Sequence, residues 1–223
     1  MGRHFETEMD NLKRKVQFLT AMVEENLHAA VQSVVEGDRA MADKAIATDT
    51  DIDRFEVEVE EECLKLLALY QPVAADLRFV VAVLKINSDL ERIGDLAVNI
   101  AERTAQLHKR KGIPAPFDLP NMLKLTIRMV KNAADALVTS DTTKARSVCK
   151  SDDEIDRLHQ QAYRMIEQQV QVRPDDVAYF ISLLSVSRNL ERIADHATNI
   201  AEDIIYMVEG EIIRHQGGGK LSE

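Results

Sequence analysis

Acidic side chains recur at helical spacing in two places along the chain. Glu91, Asp95 and Asn99 follow one another at steps of four residues, and Glu102 comes three residues later. The same steps are occupied a second time by Glu191, Asp195, Asn199 and Glu202. Side chains three or four residues apart lie on one face of an α-helix. Two or three oxygen ligands placed in this way can share or bridge a hard cation, so the spacing points first to metal binding.

A second pair of carboxylates precedes each of these motifs. Asp49 and Asp53 are four residues apart, and so are Asp152 and Asp156. If the helices that carry them run antiparallel to their neighbours, each pair can lie beside the Glu-x-x-x-Asp pair of its own half. The spacing thus predicts two clusters of four carboxylates. The candidate metal ligands are Asp49, Asp53, Glu91, Asp95, Asn99, Asp152, Asp156, Glu191, Asp195 and Asn199.

The acidic face has a second interpretation, which the spacing alone leaves open. Arg92 and Arg192 each come three residues before the aspartate of their motif. They can neutralise the like charges at i and i+4, which destabilise a helix by roughly a few tenths of a kcal/mol per pair. On this interpretation the stripe is an ordinary solvated surface.

The two motifs belong to an internal repeat. Residues 89–102 and 189–202 are identical at ten of fourteen positions, with an offset of 100. A weaker match at an offset of 103 relates residues 49–55 to 152–158. The segment between the copies holds three of the five prolines and is typical of a linker. The predicted units are residues 1–110, a linker at 111–120, residues 121–214 and a flexible tail at 215–223.

Each copy has few helix breakers and is predicted to contain three helices. The predicted ranges are 6–36, 39–70, 75–109, 118–139, 142–170 and 175–208, with Asp38, Asp141 and Asp175 as N-caps. Apolar residues from Val83 to Ile100 step by three and four, which is typical of a buried seam. The acidic residues of the third helix lie on the opposite side and are expected to project outward. The fold class is all-α, with two tandem three-helix bundles in one elongated six-helix protein.

Composition and charge exclude several other classes. Eight Gly, five Pro and 4% aromatic residues favour helices over turn-rich β architectures. The net charge of −10 repels phosphate backbones and anionic lipids, so nucleic acid is not an expected partner. The sequence shows neither a signal peptide nor an apolar run of about 20 residues. A cytoplasmic protein that reaches membranes only through partners is expected.

The motifs resemble those of the phosphate-specific transport system accessory proteins, the PhoU family. The residues that carry the resemblance are Glu91–Asp95, Glu191–Ile200, the turn Gln71–Arg78 and the ending Glu209–His215. It implies a regulator without catalytic residues, usually a homodimer or higher homo-oligomer. Its implied partners are the ATP-binding subunit of a phosphate ABC transporter and a sensor histidine kinase, and its implied role is to keep phosphate uptake and starvation signalling low.

The resemblance also implies multinuclear iron or zinc clusters on the acidic motifs. An oxygen-only ligand set would equally suit magnesium or manganese. Neutral Asn99 and Asn199 at the third motif position lower the ligand charge. His159 and His196 neighbour the motifs and are interpreted as surface polar residues. The alternative function is a metal-dependent helical enzyme or a metal-storage protein.

Overall fold

The protein, seen in a computed structural model, is described over residues 2–110 and 112–212. The α-helices are α1 Gly2–Glu36, α2 Arg39–Tyr70, α3 Ala74–Ala101, α4 Thr104–His108, α5 Leu119–Thr139, α6 Thr142–Val172 and α7 Val177–Glu209. These ranges contain no strand, and the predicted all-α class is confirmed. No helix within them is both long and apolar enough to cross a bilayer. The predicted tail at 215–223 lies outside the described residues.

The long helices form two three-helix bundles, as predicted. Helices α1, α2 and α3 pack against one another, and α5, α6 and α7 do the same. The bundles meet chiefly where α3 packs on α7. Lys85 Nζ lies 3.5 Å from Oδ1 of Asp203, while Asp89 lies against His196, so these two helices run antiparallel. At about 1.5 Å per residue, α1 alone is roughly 50 Å long.

The predicted apolar seam of the third helix is the centre of the core. Ile86, Ile93 and Ile100 have no exposed surface on α3, and Ile193 has none on α7. Burying a side chain of this size contributes roughly 1.5–3 kcal/mol relative to leaving it exposed. Burial of these apolar seams therefore determines which faces of α3 and α7 point away from the core and can carry polar residues.

Two of the three predicted N-caps are confirmed. Asp38 accepts hydrogen bonds from the backbone N–H groups of Ala40 and Met41, at 2.8 and 3.2 Å. Asp141, its counterpart in the second repeat, accepts one from Lys144 at 3.0 Å. The prediction of Asp175 was wrong: residues 174–176 form a 3-10 turn first, and α7 begins after Asp176.

The third predicted helix, at 75–109, is divided in the structure. Helix α3 ends at Ala101, and the short helix α4 follows after a turn at residues 102–103. The hydroxyl of Thr104 lies 2.8 Å from the hydroxyl of Ser33 in a buried contact between α4 and α1. The turn redirects the chain so that α4 closes over the end of α1.

Candidate metal centres

The first group of carboxylates lies between α2 and α3. Asp49 is half-buried on α2, and burial together with the charges of Asp53 and Asp95 raises its pKa to about 6. Burial also raises the pKa of Glu91, with Asp95 and Asp53 contributing in the same direction. The antiparallel packing of α2 on α3 thus brings the two pairs together. We call Asp49, Asp53, Glu91 and Asp95 the first cluster.

The second repeat builds the same arrangement between α6 and α7. Burial and the charge of Asp195, followed by that of Asp156, raise the pKa of Asp152 to about 6. The pKa of Asp195 is also raised to about 6, by burial and then by Glu191 and Asp156. We call Asp152, Asp156, Glu191 and Asp195 the second cluster. The sequence spacing did not determine how α2 is aligned along α3, or α6 along α7. In the structure, both alignments bring the four carboxylates of each repeat near one another.

The acidic faces of α3 and α7 are less outward-pointing than predicted. The Glu91 side chain is 24% exposed and that of Asp95 41%, because α2 covers part of this face. Glu191 is likewise half-buried. Asp195 keeps more than a third of its surface exposed, yet neighbouring atoms cover its carboxylate enough to raise its pKa. The clusters lie between paired helices, outside the hydrophobic core.

One carboxylate oxygen in each cluster is buried without a protein hydrogen-bond partner. These atoms are Oδ1 of Asp49 and Oδ1 of its repeat counterpart, Asp152. A Cβ atom added at Gly94 would lie 3.0 Å from Oδ1 of Asp49. Because Gly94 has no side chain, this oxygen can lie close to the backbone of α3. A buried carboxylate oxygen without a partner is costly unless a cation or a hydrogen-bond donor compensates it. The side chains of both clusters are all carboxylates, the ligand type that hard cations prefer.

Arg92, the predicted neutraliser of the first cluster, contacts it and compensates only part of the charge, while the charge of Arg192 acts against the raised pKa of Asp195. Nε of Arg92 lies 3.4 Å from Oε2 of Glu91, and its Nη1 lies 3.1 Å from Oδ2 of Asp95. Neither contact reaches Asp49, whose pKa stays raised. Among residues 2–110 and 112–212, no three His, Cys, Asp or Glu side chains already converge on a point that could hold a metal ion. Cation binding would require these carboxylates to change rotamer.

The two asparagine candidates differ in their surroundings. Asn99 is half-buried on α3. Asn199 donates from Nδ2 to Oδ1 of Asp89, at 3.2 Å, across the contact between repeats. Nδ1 of His196 lies 2.7 Å from the same oxygen. The interpretation of His196 as a surface residue was therefore wrong, because it is half-buried and joins α7 to α3.

Residues at equivalent repeat positions also link the helices beside each cluster, which the sequence analysis missed. Nδ2 of Asn87 donates to the backbone carbonyl and to Oε1 of Glu56, at 2.9 and 3.1 Å. In the second repeat, Nδ1 of His159 lies 2.9 Å from Oγ of Ser187. His159 is half-buried and not a surface residue as interpreted. Extending the repeat offsets of 103 and 100 to these positions would have indicated both contacts.

Comparison with known proteins places this chain in a family. The model of the PhoU domain matches twice, at residues 16–104 and 119–204. The "Phosphate-specific transport system accessory protein PhoU homolog" of Pseudomonas putida is 34% identical over 97% of this chain and 85% of its own length. The homolog with the same description in Aquifex aeolicus is 36% identical over 94% of this chain and 95% of its own length.

Solved structures agree with the sequence relatives. The crystal structure of PhoU from Pseudomonas aeruginosa superposes with a TM-score of 0.90 at 32% identity, covering 93% of this chain and all of that one. The "phosphate transport system regulatory protein PhoU" of Streptococcus pneumoniae gives a TM-score of 0.82 at 30% identity, covering 93% of this chain and 98% of that one. The first PhoU domain match contains the first cluster, and the second match contains the second cluster. The chain therefore belongs to the PhoU family.

Proposed function

We propose that this protein is a negative regulator of phosphate uptake and of phosphate-starvation signalling. It links the ATP-binding subunit of a phosphate ABC transporter to a sensor histidine kinase, and it acts from the cytoplasm as a homodimer or higher homo-oligomer. The observation that carries the proposal is the PhoU domain in both repeats, shared with relatives named as accessory proteins of phosphate-specific transport. The role is regulatory, and no residue is assigned to catalysis.

The surface supports binding to proteins. Ile46, Val57 and Leu64 are 37, 50 and 53% exposed on α2. Their steps of 11 and 7 residues place them along one side of the helix. Exposed Asp53 and Glu60 lie between them on the same side, so this side of α2 offers separate apolar contacts among charged groups. The net charge of −10 disfavours direct binding to anionic lipids, which agrees with contact to the membrane through the transporter alone.

We further propose that both carboxylate clusters bind cations. The buried oxygens of Asp49 and Asp152 that lack a protein partner support this. The space that Gly94 leaves supports it at the first cluster alone, because Ala194 stands at the corresponding position of the second repeat. A bound cation would compensate the charge that Arg92 leaves uncompensated and would fix α2 against α3. Iron or zinc in a multinuclear cluster, or magnesium or manganese, agrees with carboxylate ligands.

Deletion of the gene tests the regulatory role. We expect phosphate-starvation genes to be expressed even when phosphate is plentiful, and a plasmid copy to restore repression. Normal repression in the deletion strain would contradict the proposal. A strain carrying Glu91→Ala and Glu191→Ala then tests whether the clusters contribute, since we expect this variant to accumulate normally but to restore repression only partly.

A pull-down with the purified ATP-binding subunit tests the adaptor role. Binding should differ between high and low phosphate, because a regulator has to distinguish these conditions. A variant with Val57→Glu and Leu64→Glu should bind less, since added charge at these two exposed apolar positions disfavours burying them in an interface. Thr143→Glu, at an exposed position on α6, provides the matched control. Absence of binding by the wild-type protein under both conditions would contradict the adaptor role.

A further inference from the structure

A cavity of about 460 Å³ lies where the two bundles meet the linker that joins them. Its walls come from the end of α1, from α4, from linker residues within 113–117, and from the starts of α5 and α7. The volume falls in the range of roughly 300–1,000 Å³ that small-molecule sites occupy in proteins. No residue of either carboxylate cluster lines it. The cavity is therefore separate from the candidate metal centres.

Most of the cavity wall is apolar. Phe117 of the linker, Leu123 of α5 and Leu183 of α7 are buried side chains that line it from the side of the second bundle. Val34 of α1 and Leu107 of α4 line it from the side of the first. Removing such surface from water is favourable, so the cavity suits an apolar ligand.

A hydrogen bond holds the linker wall against α7. The hydroxyl of Tyr179, a buried residue, donates to the backbone carbonyl of Ile113 at 2.6 Å. Both residues line the cavity. Another part of the wall depends on Gly37, because a Cβ atom added there would overlap the ring of His108. His108 can thus lie against the backbone at the end of α1 and border the cavity.

The acidic and the basic side chain of the wall already have partners in the protein. Nε of Arg110 lies 3.2 Å from Oδ1 of Asp176, and its Nη2 donates to the backbone carbonyl of Asp175 at 3.2 Å. Oε1 of Glu36 accepts a hydrogen bond from Nε2 of Gln32 at 2.6 Å. A charged ligand would lose hydration here without gaining an unpaired counterion, so an uncharged ligand is favoured.

We propose that this cavity binds a small, uncharged and mainly apolar molecule. A cavity of about 150 Å³ holds benzene, so 460 Å³ fits a ligand of roughly 15–20 non-hydrogen atoms. A protein partner would reach chiefly the rim, where Val35 is 66% exposed, and not the buried side chains of Leu123 and Leu183. Because the walls belong to both bundles, a bound ligand stabilises their contact. The inference is independent of the proposed regulatory role and of cation binding.

Titration with N-phenyl-1-naphthylamine tests the inference. This probe is uncharged, has a size within the stated range, and fluoresces more strongly in apolar surroundings. We expect the protein to bind one molecule per chain and its midpoint of urea unfolding to rise. The sulfonate 1-anilinonaphthalene-8-sulfonate has the same ring system and a negative charge. It should bind about tenfold or more weakly, because burying its charge is not compensated.

Replacing a wall residue with tryptophan tests the position of the site. Ala115 is a half-buried linker residue that lines the cavity, so Ala115→Trp should fold and should weaken binding of the uncharged probe about tenfold or more. Ala21→Trp, at an exposed position on α1, is the matched control and should leave the affinity unchanged. The chain has no tryptophan of its own, so the emission of each variant shows whether the new indole lies in apolar surroundings.

Methyl NMR of the wild-type protein locates the probe without a variant. N-phenyl-1-naphthylamine should shift the methyl resonances of Leu123 and Leu183 and leave those of Leu66, a buried residue of α2, in place.

Absence of probe binding by the wild-type protein would overturn the inference and leave the regulatory role and cation binding intact. Equal affinity in wild type and Ala115→Trp together with unshifted Leu123 and Leu183 resonances would also overturn it, as would tighter binding of the sulfonate. If the wild-type protein binds no probe while Ala115→Trp loses binding to the ATP-binding subunit, the cavity belongs to a protein partner instead.

Discussion

Nδ1 of His196 lies 2.7 Å from Oδ1 of Asp89, and this contact joins the third helix of the second repeat to that of the first. Nδ2 of Asn199 donates to the same oxygen. Both side chains of the pair are mostly buried, at 19 and 16% exposed. This polar link between the repeats has no counterpart made by residue 96, because Leu96 stands at the position of the first repeat that corresponds to His196.

Replacing His196 with alanine should destabilise the protein. The change removes a partly buried hydrogen bond and leaves Asp89 with less compensation, which costs about 1–2 kcal/mol. Urea unfolding measures the difference. His4→Ala is the control, since that histidine is 74% exposed and lies 3.8 Å from Glu8, and it should leave the unfolding midpoint unchanged. Equal midpoints for His196→Ala and wild type would contradict the prediction.

The metal-free protein should lose stability as the pH rises from about 4 to 7. In the folded state the pKa values of Asp49 and Asp152 are about 6, against an ordinary value of 3.8. The folded state therefore binds more protons between these values, and the free energy of unfolding falls as they dissociate. Unfolding in the presence of a chelator at several pH values measures this slope.

Asp49→Asn should reduce that slope and stabilise the metal-free protein at pH 7. The amide carries no charge in the groove, and we expect a gain of about 1 kcal/mol, since partial exposure reduces the full effect of the shift. Asp43→Asn, an exposed position on the same helix, is the control and should change little. Loss of stability at pH 7 in Asp49→Asn without metal would count against the prediction.

Gly94→Ala should weaken cation binding at the first cluster while changing stability little. The new methyl group would lie 3.0 Å from Oδ1 of Asp49 and 3.4 Å from side-chain atoms of Ile52, so the carboxylate has to turn. The gain in helix propensity, about 1 kcal/mol, offsets the tighter contact. Mn²⁺ titration and urea unfolding measure the two effects. Unchanged Mn²⁺ affinity would show that Oδ1 of Asp49 is not a ligand.

Truncation of the central seam should have a far larger effect on stability. Ile93 has no exposed surface, and Ile93→Ala should cost about 2–5 kcal/mol through lost contacts and a cavity. Val57→Ala, at a position that is 50% exposed, should change the free energy of unfolding by less than about 0.5 kcal/mol. Similar midpoints for the two variants would contradict the assignment of the seam as core.

Much of the fold could be predicted because it depends on local, repeated signals. The apolar steps around Ile93 set the buried face, and Asp38 and Asp141 mark two helix starts. The break after Ala101 could not be predicted, because it goes with tertiary contacts of α4 on both α7 and α1, such as that of Thr104 with Ser33. Such contacts join residues far apart in sequence.

The approach of the two acidic pairs within each repeat could be predicted from the sequence, and the role of these residues as ligands stays a prediction. Asp49 could be assigned beside Asp95 because the helices alternate in direction, and the structure has this register. The degree of burial could not be predicted, since it depends on how closely α2 covers α3. The partners of His159 and His196 were missed because Ser187 and Asp89 carry no motif of their own.

The metal content of the purified protein tests the central claim most directly. The protein would be prepared without chelator and analysed for bound elements, beside a variant in which Asp49, Asp95, Asp152 and Asp195 are replaced by asparagine. We predict that the wild-type protein retains metal at each cluster, and that the variant remains helical by circular dichroism and retains none. A wild-type protein that holds no metal and binds neither Mn²⁺ nor Zn²⁺ in equilibrium dialysis would contradict the claim.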